Sequence, residues 1–211
     1  MNPALPRALL AAALAIVTMS NLPAQSQQQN GAPTPMKTTL AAPIYVAGFQ
    51  IRTSNAKEMS GNGEIGKLWA RFMQQNLAAQ IPNRIGQSLM VVYSDYASDE
   101  KGEYSYLLGA PVTSVDALPA GMSYRRIPAG QYAVFTTDRG PLVDVLQAAW
   151  RHIWATPSAE LSGPRAFVAD YEIYDQRSVD PNNAQVEIHI GLRSDAGEPQ
   201  PTQSAFFTEH P

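Results

Sequence analysis

The order strand, helix, strand, strand occurs twice in this chain, and that duplication restricts the folds open to it more than any other feature. In the first copy, Pro43–Arg52 has the β-branched and aromatic content of a strand, bulged at Gly48. A mobile polar connection over Thr53–Gly63 follows. Ile65, Leu68, Trp69, Phe72, Met73 and Leu77 then repeat at three and four, which predicts a helix over Glu64–Gln80. Ile81-Pro82 ends it, because the residue before a proline disfavours helical torsions. Ser88–Asp95 and Tyr104–Val112 read as two strands around the turn Ala97–Gly102.

The second copy repeats the plan. Met122–Ile127 and Tyr132–Thr137 are strands around Pro128-Ala129-Gly130, and Gly140-Pro141 opens a helix whose apolar stripe includes Leu142, Leu146, Trp150 and Ile153. Ala166–Asp175 and Gln185–Arg193 close it as strands. Leu68-Trp69-x-x-Phe72 aligns with Ala149-Trp150-x-x-Ile153, and the same offset carries Tyr93 onto Tyr174 and Tyr106 onto Glu187. The expected fold is α+β: two pseudo-symmetric β-α-β-β modules forming a mostly antiparallel curved sheet, with two helices and a central cleft. Such seams are favoured places for ligand sites.

Of the 211 residues, about 150 belong to this duplicated block, residues 43–193, the usual size of one domain. Residues 1–24 read as an export leader, with Arg7, an apolar run Ala8–Met19 and small residues at Leu22-Pro23-Ala24. That run is shorter than the roughly 20 residues needed to span a bilayer, so cleavage and a soluble periplasmic or secreted product are expected, with no stable membrane anchor. Residues 25–42 are Gln-, Pro- and Thr-rich and read as a disordered linker; residues 194–211 read as a flexible tail. The chain has no cysteine, which excludes disulfides and thiolate metal sites. A net charge of −3 without a Lys/Arg stripe argues against a nucleic-acid partner.

The chemistry concentrates on Ala166–Asp175. Strand alternation puts Phe167, Ala169, Tyr171 and Ile173 on a core face and Val168, Asp170, Glu172 and Tyr174 on a mixed one. Two readings fit that mixed face: an exposed edge, or a pocket floor in which Glu172 is the charged group. Tyr93, Tyr104, Tyr106 and Tyr174 fit pocket lining and ordinary sheet positions alike. Trp150 lies on an apolar helix stripe, where core packing is the first reading and the cleft the second, and His189 is the histidine best placed to meet a ligand, although a solvated strand face also fits it. Gly61-Asn62-Gly63 lacks a phosphate-loop context, and Gly86-Gln87-Ser88-Leu89-Met90 lacks the second glycine of a nucleophile elbow. Three scattered histidines suggest no metal site, and no cofactor is expected.

Several motifs recur in one order: Trp69-x-x-Phe72, Val92-Tyr93-Ser94-Asp95-Tyr96, Tyr104-x-Tyr106-x-x-Gly109-x-x-Val112, and Pro128-Ala129-Gly130-Gln131-Tyr132-Ala133-Val134-Phe135. Tyr171-Glu172-Ile173-Tyr174-Asp175 and Val186-Glu187-Ile188-His189-Ile190 complete the series. Over nearly all of residues 43–193 the chain thus resembles the GyrI-like effector-binding family, the ligand-sensing domains of AraC- and MerR-type regulators, related in fold to SOUL haem-binding proteins. The resemblance implies a cleft for aromatic or cationic small molecules and a buried glutamate at Glu172 with aromatics around it. It also implies a second activity seen in stand-alone relatives, hydrolysis of strained electrophilic rings using that glutamate. The sequence departs from the family in His189, where tyrosine is common. Two functions follow as expectations: an exported binding protein for an amphipathic, cationic ligand, or a small hydrolase with Glu172 as acid or base.

Overall fold

The computed structural model describes residues 35–193. Its strands are β1 (Met36–Leu40), β2 (Ile44–Ser54), β3 (Leu89–Ser94), β4 (Glu103–Val112), β5 (Ser123–Ile127), β6 (Gly130–Thr136), β7 (Ala169–Tyr174) and β8 (Glu187–Gly191). They form one 8-stranded sheet in the order β1-β6-β8-β7-β3-β4-β2-β5, with every pairing antiparallel. The helices are α1 (Asn55–Lys57), α2 (Ile65–Gln74) and α3 (Leu142–Ala155). None among the described residues is long and apolar enough to cross a membrane.

A pseudo-twofold runs between β3 and β7. Outward from it the strands read β3-β4-β2-β5 on one side and β7-β8-β6-β1 on the other. The outermost strands are exchanged: β1 precedes the first repeat but pairs with β6 of the second, while β5 precedes the second repeat and pairs with β2 of the first. Each repeat is therefore β-β-α-β-β. The linker expected over residues 25–42 is corrected in its second half, since Met36–Leu40 is a strand registered against Gly130–Val134; residues 25–34 lie outside the described residues. Its polar composition misled because an edge strand buries few side chains. The leader at residues 1–24 and the tail at 194–211 lie outside the described residues.

Three further expectations change. The β2–β4 register runs unbroken from Tyr45↔Val112 to Ser54↔Glu103, so Gly48 marks no bulge. It lies opposite Gly109, and a Cβ on either would fall 2.1 Å from the Leu108 carbonyl oxygen or 1.9 Å from that of Ala47. Glycine is there because the two backbones approach too closely for a side chain. Thr53–Gly63 is structured rather than mobile: Ser54 caps α1 by accepting from the Lys57 amide at 3.2 Å, and the Glu58 carboxylate accepts from the amides of Glu64 (3.0 Å) and Ile65 (3.2 Å). That places an anion on the free donors that open α2. The single helix expected over Glu64–Gln80 is α2 followed by a 3-10 turn, Leu77–Gln80, separated by Asn76 at φ 49.

The sheet is covered on both faces. α2 packs Leu68, Trp69 and Phe72 on β2 and β4, in one cluster with Val91, Tyr106 and Leu108. α3 packs Ile153 on Phe135, Ile188 and Ile190. The opposite face has a cluster of its own, with Val46, Met90, Val92, Leu107 and Tyr171. Burial on both sides explains why β3 and β4 read as nearly continuous apolar runs.

Candidate functional site

The register locates the symmetry axis. Trp69 and Trp150, like Tyr93 and Tyr174, are 81 residues apart (150 minus 69, 174 minus 93), and that offset relates β3 to β7. By it Val91 corresponds to Glu172, and these two are also direct partners across the β3–β7 seam. Glu172 therefore stands on the pseudo-twofold. The offset slips by one beyond the hairpins. Val92 pairs with Leu107, while its counterpart Ile173 pairs with Glu187, so Glu187 corresponds to Leu107 and not to Tyr106. A one-residue slip moves a side chain to the other face.

Glu172 is 2% exposed, on the helix-covered face. Its Oε1 accepts from the Tyr93 hydroxyl at 2.9 Å and the Trp150 indole N–H at 2.7 Å, and its Oε2 from the Tyr174 hydroxyl at 2.6 Å. Burial raises its pKa above the usual carboxylate value, and the bonds from Tyr174, Trp150 and Tyr93 oppose that rise. All three donors are neutral, and among the described residues no Lys, Arg or His forms an ion pair with it. Tyr93 and Tyr174 are held well above the ordinary phenol value, first by burial and then by the Glu172 charge.

The aromatic surround is itself pseudo-symmetric. Trp69 lies edge-on to Tyr174 (centroids 5.1 Å) and Trp150 edge-on to Tyr93 (5.0 Å). Each half's tryptophan thus covers the other half's tyrosine. Tyr106 is perpendicular to Tyr93 at 5.2 Å and accepts the Trp69 indole N–H at 2.8 Å; Tyr104 lies 5.5 Å from Tyr93. The structure therefore gathers Glu172, Tyr93, Tyr104, Tyr106, Trp150 and Tyr174, and adds Trp69.

His189 is not with them. It pairs with Tyr171 while Ile188 pairs with Glu172, so it projects from the opposite face. It stacks on Tyr171 (4.3 Å, 13°), and its Nε2 is 3.4 Å from Glu187 Oε2. Burial lowers its pKa, against the Glu187 contact. Burial, with Glu187 second, pushes Tyr171 up to about 12. Phe167 also departs from expectation: it precedes β7, at φ 52, and does not continue the strand's core face.

The two ends of the seam differ. At one, a cavity of about 490 Å³ is lined by Trp69, Leu89, Tyr174, Gln176, Arg177 and Val179 among others. At the other, the residues corresponding to Trp69, Leu89 and Tyr174 are Trp150, Asp170 and Tyr93. There Asp170 accepts from the Tyr96 hydroxyl and an Arg165 terminal N–H (both 2.7 Å) and from the Gly191 amide (2.8 Å). Phe167 packs edge-on to Tyr96 at 5.5 Å. Sequence reasoning missed Tyr96 and Arg165 because each stands outside a predicted strand, and it placed Phe167 within one, on the core face, where the backbone instead turns left-handed. The signal that could have found Arg165 was Asp170, a carboxylate that a buried strand needs to pair. No three His, Cys, Asp or Glu side chains among the described residues gather as metal ligands.

This sheet, with its duplicated halves and helix-covered seam, defines a small-molecule effector-binding domain. Residues 41–192 match the family of integron-associated effector-binding proteins, Cass2, and the chain belongs to that family. It is 33% identical over 148 residues to YobU of Bacillus subtilis (strain 168), named as a transcriptional regulator protein, covering 70% of this chain and 91% of YobU. It is 34% identical over 135 residues to the transcriptional regulator BrlR of Pseudomonas aeruginosa, covering 61% of this chain and 46% of BrlR. Among solved structures, the Vibrio cholerae integron cassette protein VCH_CASS2 superimposes with TM-score 0.60 at 27% identity, over 75% of this chain and 95% of that one. SAV2435, solved bound to tetraphenylphosphonium, shares the fold at TM-score 0.61 and 14% identity, over 75% of this chain and 93% of that one.

Proposed function

We propose that this protein binds a lipophilic, aromatic cation at the seam, with Glu172 as the group that selects for positive charge. The observation that carries the reading is a buried carboxylate held by three neutral donors, with no cationic partner among the described residues. Burying an anion this way is costly, and a bound cation removes the cost. The ring faces of Trp69, Tyr174, Tyr93 and Trp150 add cation–π attraction. The cavity beside Trp69 and Tyr174 offers room for aromatic limbs, and Tyr174 is the wall it shares with Glu172. Support also comes from SAV2435, a protein of the same fold bound to such a cation. In this reading the leader at residues 1–24 sends the protein out of the cytoplasm, so that it sequesters its ligand there; amino-terminal sequencing of the exported protein, expected to begin near Gln25, checks that part.

Titration calorimetry with tetraphenylphosphonium, and with neutral triphenylphosphine oxide beside it, tests the site. Glu172→Gln is expected to weaken the cation by about 10- to 150-fold, the equivalent of a charge-assisted hydrogen bond of about 1.5–3 kcal/mol, and to leave the neutral compound unchanged. Equal affinity of wild type and variant for the cation would remove Glu172 from the site.

A further inference from the structure

β7 carries two buried carboxylates on one face, two positions apart: Asp170 at 0% exposure and Glu172 at 2%. Strand geometry puts such positions about 7 Å apart. Only Asp170 has a cation of its own. The Arg165 side chain, 9% exposed, approaches it at 2.7 Å, and its guanidinium lies 4.4 Å over the Phe167 ring. The contact is incomplete. Arg165 Nε is buried without a partner, and Nη1 reaches no closer than 3.8 Å to Glu100, a partly exposed carboxylate.

The backbone goes to some trouble to present this arginine. Ser162 and Phe167 both adopt left-handed torsions (φ 65 and 52), and the segment between them is fixed by Ala166 N–H to Gly191 O (2.7 Å) and Arg193 N–H to Pro164 O (2.9 Å). Stability alone does not account for it. Buried ion pairs are commonly no better than apolar packing, and the molecule displays the apolar alternative: the position corresponding to Asp170 in the other half is Leu89.

We infer that Arg165 is a specificity-determining residue, which neutralises Asp170 so that the helix-covered floor of the seam keeps one negative charge, that of Glu172, and matches singly charged cations. This rests on the reading of Glu172 given above. A unit charge about 7–10 Å from a bound cation, at an effective dielectric near 20, changes its affinity roughly 15- to 50-fold.

Calorimetry with tetraphenylphosphonium at low ionic strength, on the full chain, reads the effect. Arg165→Gln keeps an amide donor for Asp170 and leaves two negative charges; binding is expected to tighten by about tenfold or more. Asp170→Asn leaves Arg165 uncompensated; binding is expected to weaken by about tenfold or more. The double variant restores one charge and returns to wild type within about twofold. A merely structural pair would weaken binding in all three. Arg165→Gln no tighter than wild type, or a double variant no tighter than Asp170→Asn, overturns the inference; the second comparison stands even if Arg165→Gln does not fold. Glu172→Gln in the same series separates the two claims. Affinity that depends on Glu172 but is flat across the charge series keeps the site and rejects the role of Arg165. Affinity that follows the series but ignores Glu172 does the reverse, and absence of binding throughout rejects both.

Discussion

In the first half of the domain Trp69 lies edge-on to Tyr174 and donates its indole N–H to a neutral hydroxyl, that of Tyr106. In the second half Trp150 lies edge-on to Tyr93 and donates to the carboxylate of Glu172. The frame is the same and the acceptor differs. At the axis the corresponding residues are Val91 and Glu172, side by side. Two carboxylates there would repel each other in a buried setting, so a duplicated sheet can hold a charge at its seam only by breaking its symmetry. The same holds further out, where Leu89 borders an open cavity and Asp170 a filled one.

The comparison breaks most visibly at those outer positions. Asp170→Ala strips a buried guanidinium of its partner and is expected to cost about 3–5 kcal/mol in urea unfolding. Leu89→Ala costs about 2–5 kcal/mol through its cavity alone. Only the Asp170 loss should shrink when Arg165→Met is added; equal losses with and without that change would make the two ends alike.

The tryptophans sharpen it. Trp69→Phe orphans a neutral buried hydroxyl and is expected to cost about 1–3 kcal/mol at any pH below the tyrosine range. Trp150→Phe removes a donor to a titrating acceptor, so its cost should grow as Glu172 ionises. Unfolding of both variants at several pH values decides it, and parallel profiles would contradict the difference.

Glu172 itself gives a smaller, signed effect. Its folded pKa is raised above the ordinary 4.5, so the folded state holds its proton longer than the unfolded chain. Its contribution is fully present below 4.5 and is lost as pH rises through the folded value. Wild type should therefore lose stability relative to Glu172→Gln as pH climbs above 4.5, levelling once the folded carboxyl has ionised. Urea midpoints across that range check the slope. Smallest of all, His189→Asn, on the opposite face, should leave tetraphenylphosphonium affinity within about twofold of wild type by calorimetry.

Much of this was legible in the residues. The repeat, the tryptophan stripes and Glu172 on the mixed face of its strand all follow from periodicity, and the structure keeps them. What the sequence hid has specific causes. The strand Met36–Leu40 buries little, so no alternation marks it. Strand alternation alone leaves His189 on one of two faces, and nothing local says which of them faces the helices. Arg165 and Phe167 depend on left-handed turns at residues that rarely adopt them, a choice made by tertiary packing.

The exchanged outer strands bear on how the molecule comes together. Met36 ends up opposite Val134, so the first strand of the domain waits for most of it to be made before finding its place. Neither repeat can complete its own sheet: each lends its leading strand to the other. A chain cut within residues 113–122 would leave two fragments with bare strand edges that fit each other, and two copies of one fragment would meet the same need by swapping. The architecture is that of a strand-swapped dimer written as one polypeptide. Once two such copies share a chain, one position on their axis is free to change without its twin, and Glu172 opposite Val91 is what that freedom looks like.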